Sequence, residues 1–196
     1  MELKSLDFKV GSSNPSGISD TIFYAPKSYI QEWPEIMDEL EDATEDASLD
    51  KDDYVDYDGD FTMVTGKKFL SLYNTQGKGK VSSSTIGEVD CKMNQNTLEI
   101  KFPRLTREAR VFAKAAANSD FVFIIKHDKQ YFVVGNRDYR TNITIDGNTG
   151  DSAGSDKGFT IKAEVPDTTA FPRYTGTLST DKGNLDCATG KFTPAT

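Results

Sequence analysis

Histidine and cysteine are scarce in this 196-residue sequence, and their scarcity removes several classes of site. There is one histidine, His127, and there are two cysteines, Cys91 and Cys187. So few and so scattered ligands give no transition-metal site. They also give no disulfide framework, so we expect two free thiols, with a single disulfide across the long loop between them as the alternative.

Long apolar stretches are also absent. No run of 18 apolar residues occurs, so we expect no membrane-spanning segment and no membrane partner. The first ten residues, MELKSLDFKV, lack the apolar core of a secretory signal peptide. We therefore expect a chain that is made in the cytoplasm and is not exported by a signal-peptide route.

Catalytic motifs are missing as well. His127 is followed by Asp128 in a predicted hairpin turn, but no serine or cysteine lies in a nucleophile motif. Residues 74–80, NTQGKGK, lack the Gly-Lys-Ser/Thr ending and the helix of a phosphate-binding loop. The sequence thus predicts a protein that is not an enzyme and has no cofactor.

Aromatic residues and short alternating runs are what the sequence does contain. It has 12 phenylalanines and 8 tyrosines among many turn residues, which is more typical of sheets than of helix bundles. Two apolar runs, within FVFIIKHD (121–128) and KQYFVVGN (129–136) and joined by residues 127–130, predict a central hairpin. Further strands are expected at 6–10 and on either side of a turn at 93–96, with a hairpin within 61–73 and a Gly/Ser/Lys loop at 75–84. Residues 105–118 predict one helix, with Thr106 as its N-cap and Phe112 on its apolar face. The predicted fold is mainly β: an antiparallel sandwich or barrel with one flanking α-helix and long loops.

Negative charge is concentrated in one segment of the chain. The net charge is −8, yet residues 32–60 contain fourteen acidic residues and one basic residue, so the remainder carries +5. We expect one β-sandwich domain over residues 1–196, with an acidic loop or helix excursion at 31–60 and core strands that begin at Phe61. The turn-rich residues 179–196 are expected to form a C-terminal arm.

A weak calcium-like pattern lies at the end of the acidic segment. Asp56, Asp58 and Asp60 alternate around Tyr57 and Gly59, as carboxylates do around a hard cation. The EF-hand template fails, because the twelfth residue counted from Asp56 is Lys67 rather than Glu. We therefore expect a solvated acidic loop here, with a cation site at these three aspartates as the alternative.

Residues 121–176 form a pattern that resembles a known family. An apolar strand, a polar turn and a second apolar strand that ends in glycine are followed by an N-x-x-Y step and by a Gly/Ser/Asp loop. The returning strand reads DKGFTIKAE, and a proline and a tyrosine follow it. This pattern is similar to the tail tube proteins of bacteriophages, particularly those of phages and prophages of Bacteroidetes, over about residues 85–178.

The resemblance implies a structural protein of the virion. In that family, β-sandwich subunits close into rings, usually of six, and join their sheets edge to edge into an inner barrel. The partners would be copies of the chain itself and other tail and neck proteins, with DNA passing through the tube unbound. We expect carboxylates to line the lumen, with Glu88, Asp90 and Glu99 as candidates, because carboxylates repel phosphates.

Two alternatives to the tube subunit stay open. The first is another tail or neck component on the same fold, such as a hub, terminator or ring protein. The second is a carbohydrate-binding or adhesion sandwich, in which Trp33, Tyr54 and Tyr57 stack on sugars.

Overall fold

The computed structural model describes residue 13, residues 15–36 and residues 54–195. The predicted strand at 6–10 and most of the predicted acidic excursion, residues 37–53, lie outside the described residues. Fifteen strands are formed within the described ranges: β1 (Thr21–Pro26), β2 (Ile30–Glu32), β3 (Asp56–Tyr57), β4 (Thr62–Met63), β5 (Leu70–Tyr73), β6 (Lys80–Ile86), β7 (Met93–Phe102), β8 (Phe121–His127), β9 (Gln130–Val134), β10 (Asn142–Asn148), β11 (Gly158–Asp167), β12 (Arg173–Tyr174), β13 (Thr177–Thr180), β14 (Gly183–Asp186) and β15 (Phe192–Pro194). The helices there are a 3₁₀ turn at Lys27–Tyr29 and α1 at Arg107–Ala116.

A six-stranded sheet in the order β3-β12-β9-β8-β1-β5 forms the middle of the molecule. The prediction of a central hairpin at 121–134 is confirmed, because β8 and β9 pair antiparallel and Phe123 lies opposite Val134. Residues 121–125 are all buried, since both faces of β8 are covered by other elements. Asp128 closes the hairpin with a positive φ of 52°, which aspartate tolerates in tight turns.

A four-stranded antiparallel sheet in the order β10-β11-β7-β6 packs on one face of the central sheet. Leu98 and Ile100 of β7 and Ile161 of β11 pack there against Phe123 of β8. The loop predicted at 75–84 is confirmed only for residues 75–79, and the turn predicted at 93–96 is wrong. Lys80 begins β6, and the connection to β7 is 87–92. The serine-rich run 82–84 has low strand propensity, and pairing with β7 outweighs it.

A three-stranded sheet in the order β13-β14-β15 lies on the other face of the central sheet. Leu178, Leu185 and Cys187 are buried there against Val133 and Tyr174. The expectation of a C-terminal arm over 179–196 is therefore corrected. Residues 179–187 belong to the packed body, because their alternating apolar side chains reach the core.

Helix α1 confirms the predicted helix. The Thr106 hydroxyl accepts a hydrogen bond from the Ala109 amide at 3.2 Å, which satisfies one of the donors left free at the helix start. Phe112 is half-buried and packs edge-on against Tyr24, with ring centroids 5.2 Å apart. It lies 6.0 Å from the ring of Phe121, so the helix closes one side of the sandwich.

The two ends of the acidic segment belong to the fold, which corrects the expected excursion at 31–60 there. Ile30–Glu32 pairs with Thr62–Met63, and Asp56–Tyr57 adds a parallel edge to β12. The core strands accordingly begin at β1 rather than at Phe61. The hairpin expected within 61–73 is also wrong, since β4 pairs with β2 and β5 pairs with β1.

No helix in the described ranges is long and apolar enough to cross a membrane.

Candidate assembly interface

The four-stranded sheet has two strands of equal length at its margins, β6 and β10. Each contains seven residues and pairs with one neighbour, β6 with β7 and β10 with β11. Within the described part of the chain, neither strand makes a backbone hydrogen bond to any further element. As far as the described residues go, the sheet therefore has two open margins, which we call the β6 edge and the β10 edge.

Which residues of each edge direct their backbone N–H and C=O groups away from the sheet follows from the hydrogen bonds of Lys101 in β7. The Lys101 amide donates to Asn74 Oδ1 at 3.1 Å, and its carbonyl accepts from the Thr75 amide at 2.8 Å. Both groups thus point to the β6 side of β7. Because N–H and C=O groups alternate in direction along an antiparallel strand, the same holds for every second residue of β7.

The alternation can be followed from β7 to both edges through the pairing registers. On the β6 edge, the N–H and C=O groups that point outward belong to residues 81, 83 and 85. On the β10 edge they belong to residues 143, 145 and 147. The side chains of these residues, except Gly147, which has none, lie on the inner face of the sheet, which packs against the central sheet. Each edge thus offers an alternating row of donors and acceptors to a further strand.

Neither edge has the features that usually block strand addition. Natural edges are protected by proline, bulges or several charged side chains. The β6 edge reads KVSSSTI and has one charged residue, Lys80, while the β10 edge reads NITIDGN and has one, Asp146. No proline and no register shift interrupts either edge.

The outer face of the four-stranded sheet is polar, and its lysines are paired with carboxylates. Lys80 Nζ lies 3.3 Å from Glu99 Oε1, and Lys162 Nζ lies 2.8 Å from Glu164 Oε1. The hydrogen bond to Glu164, and then the charges of Glu164 and Glu99, raise the pKa of Lys162. The strand face is thus not dominated by carboxylates, and a lumen position for Glu99 stays a prediction. In the strand register a lysine lies opposite Glu99 on each neighbouring strand, Lys80 of β6 and Lys162 of β11.

The other two candidates for lumen charge lie off the strands. Glu88 and Asp90 are exposed residues of the 87–92 connection between β6 and β7. Asp90 has a positive φ of 66° in this turn. Both carboxylates therefore project from one end of the sheet rather than from its face.

The three aspartates proposed as a cation site have separate environments. Asp56 is 8% exposed and forms an ion pair with Arg173, whose Nε donates at 2.8 Å. Asp58 pairs through its backbone with Glu35, and Asp60 accepts a hydrogen bond from the Thr177 amide. Among the described residues, no group of three His, Cys, Asp or Glu side chains is arranged to hold a metal ion.

The remaining candidates from the sequence are packed into the molecule. Tyr57 is 4% exposed, and Trp33 packs edge-on against Phe61 with ring centroids 5.3 Å apart. Tyr54 is half-buried. His127 ends β8, its ring stacks on Phe132, and its Nδ1 lies 2.5 Å from the Gly17 carbonyl oxygen.

Neither edge was identified from the sequence as a place of assembly, although a strand was expected at 140–147. Val81 followed by three serines has the composition of a loop, and only its pairing with Leu98 and its neighbours makes it a strand. One signal was present: Ile143 and Ile145 alternate with polar residues, which is typical of a strand with one buried face. No family model, curated protein or solved structure matches this chain.

Proposed function

We propose that this chain is a structural subunit that assembles with copies of itself into rings, by pairing the β6 edge of one copy with the β10 edge of the next. The rings would stack into the tail tube of a bacteriophage, through which DNA passes. The observation that carries the proposal is the presence of two open, unprotected edges on opposite sides of one sheet.

The strand directions support closure of such a ring. All three pairings in the sheet are antiparallel, so in a sheet of four strands the two edges run in opposite directions. A β6–β10 junction is therefore antiparallel too and continues the alternation of the sheet. Contacts of this head-to-tail kind leave no free edge once the ring has closed. If the ring has six copies, as the resemblance implies, four strands from each give a barrel of about 24 strands.

The burial pattern supports one orientation of the sheet in the ring. The apolar face of the four-stranded sheet is covered by the central sheet, so only the polar outer face can line an interior space. Its lysines are paired with carboxylates, as in Lys80–Glu99. A lysine that is already neutralised has less to gain from a phosphate, so this wall suits DNA that slides without binding.

A hub, terminator or ring protein on the same fold would use the same two edges, and each of these would be a virion protein made in the host cytoplasm. A carbohydrate-binding role needs exposed aromatic faces, whereas Tyr57 is buried and Trp33 packs against Phe61.

Assembly of the purified protein tests the proposal. We expect rings with a central opening in negative-stain micrographs, and a mass by light scattering that rises with concentration. A protein that stays monomeric at every concentration, with no rings or tubes, would contradict it. Dimers that do not grow further would indicate pairing of two like edges around a two-fold axis instead.

A further inference from the structure

The geometry points to one register for the junction between copies: Lys80 of one copy opposite Asp146 of the next. This inference rests on the proposed function and specifies the contact that would build the ring. In this register Ser82 faces Thr144 and Ser84 faces Asn142 on the outer side of the sheet. Val81 faces Ile145 and Ser83 faces Ile143 on the inner side.

The first constraint on the register is the side of the sheet. Outer residues of the β6 edge must meet outer residues of the β10 edge, because a shift by one residue would turn every side chain to the wrong face. Only registers that differ by two residues are therefore allowed. The free N–H and C=O groups of residues 81 and 83 then meet those of residues 145 and 143 in each copy.

The second constraint is charge and apolar matching. Each edge has a single charged residue, and the proposed register places the two, Lys80 and Asp146, directly opposite each other. It also places Val81 opposite Ile145, the apolar residues at the matching position on the inner side. A shift that lengthens the overlap by two residues puts Lys80 opposite Asn148 and Val81 opposite Gly147, so the charge pair and the apolar pair are both lost. A shift in the other sense leaves only three pairs of strand residues.

Two apolar cavities between the sheets also favour the pairing of Val81 with Ile145. One lies beside the β6 edge, where Val81 adjoins Ile18, Phe132 and Phe171 in a mainly apolar space of about 320 Å³. The other lies beside the β10 edge, where Ile145 adjoins Phe112 in an apolar space of about 170 Å³. With Val81 opposite Ile145, the cavities of adjacent copies meet at the junction and are covered together, which buries apolar surface that is open in the single subunit.

Disulfide trapping tests the register with the full chain. Ser82 and Thr144 form a non-hydrogen-bonded pair in this register, where Cα atoms are about 4.5 Å apart and a disulfide fits. In a Cys91→Ser background, which removes the exposed native thiol, the chain with Ser82→Cys and Thr144→Cys should oxidise into a ladder of covalent oligomers. Ser82→Cys with Asp146→Cys, and Ser82→Cys with Asn142→Cys, are the matched controls for the two shifted registers and should give little cross-linking.

The experiment distinguishes a wrong register from a wrong proposed function, because ring formation is scored by microscopy before the cysteine pairs are oxidised. Rings that cross-link through one of the control pairs would overturn the register and leave the ring standing. Rings that cross-link through none of the three pairs would overturn the β6–β10 junction. Covalent dimers from Ser82→Cys alone would show that two β6 edges meet, and the absence of any oligomer would overturn the proposed function itself.

Discussion

Blocking the β6 edge with proline should abolish assembly while leaving the subunit folded. Ser83 is the position for this change, because its N–H points to the free edge and has no partner among residues 15–36 and 54–195. Its hydroxyl Oγ is buried without a hydrogen-bond partner, so removing it breaks no contact. The residue is already extended, and we expect Ser83→Pro to cost the isolated subunit less than about 1 kcal/mol.

The cost at the junction is much larger. Proline removes one donor, and its ring prevents the second hydrogen bond of the same residue pair. At about 1 kcal/mol per bond, each junction loses about 2 kcal/mol, which weakens the contact of two copies about 30-fold. A ring of six copies would lose about 12 kcal/mol, since every junction contains the substitution.

Two matched variants serve as controls for loss of the side chain and for loss of stability. Ser83→Ala keeps the N–H and should assemble like the original protein. Ser84→Pro removes an N–H that points inward to Gln95 of β7, so it should lower the free energy of unfolding of the subunit by about 2 kcal/mol. The assays are light scattering for assembly and urea denaturation for stability. If Ser83→Pro assembles with unchanged concentration dependence, the β6 edge is not the junction.

Three further experiments, two substitutions and one thiol labelling, test the packing of the subunit. Phe112→Ala should lower the free energy of unfolding by about 2 kcal/mol in urea denaturation, because the half-buried ring packs on the central sheet; a loss below about 0.5 kcal/mol would place it at the surface. Arg173→Leu should destabilise by about 1–2 kcal/mol in the same assay, because it leaves the buried Asp56 carboxylate without its cation; unchanged stability would mean that water replaces the guanidinium. Burial raises the pKa of the Cys187 thiol to about 12, so at neutral pH a thiol reagent should modify only Cys91 in the native protein and both cysteines in urea. Two native reactive thiols would contradict the packing of the C-terminal sheet.

If the proposed tube forms, its neutral outer face predicts that passage of DNA depends little on salt. A carboxylate-lined tube repels DNA, and salt screens that repulsion. A wall of paired charges such as Lys80–Glu99 and Lys162–Glu164 presents little net field at low or high salt. The acidic residues that give the chain its charge of −8 are concentrated instead in the sequence segment 32–60.

Local patterns along the chain were enough to predict several elements. The β8–β9 hairpin is encoded by two apolar runs around a short turn. Such runs become central strands because apolar side chains on both faces of the strand must be buried. Helix α1 is encoded by the Thr106 cap and an apolar stripe through Phe112, which are short-range features. The predominance of β structure follows from the aromatic and turn-rich composition. These features could be read from the sequence because they depend on residues that are close together in the chain.

Other features depend on contacts between distant residues, and only the tertiary structure decided them. The β6 edge is serine-rich and becomes a strand because β7 pairs with it, while residues 179–187 join the core because Leu185 and Cys187 reach a space left by the central sheet. Asp56 is removed from a candidate cation site by Arg173, which is 117 positions away in the chain. The same holds for Glu99: its carboxylate was visible in the sequence, but the lysines that neutralise it are placed there by strand register, which no local pattern specifies.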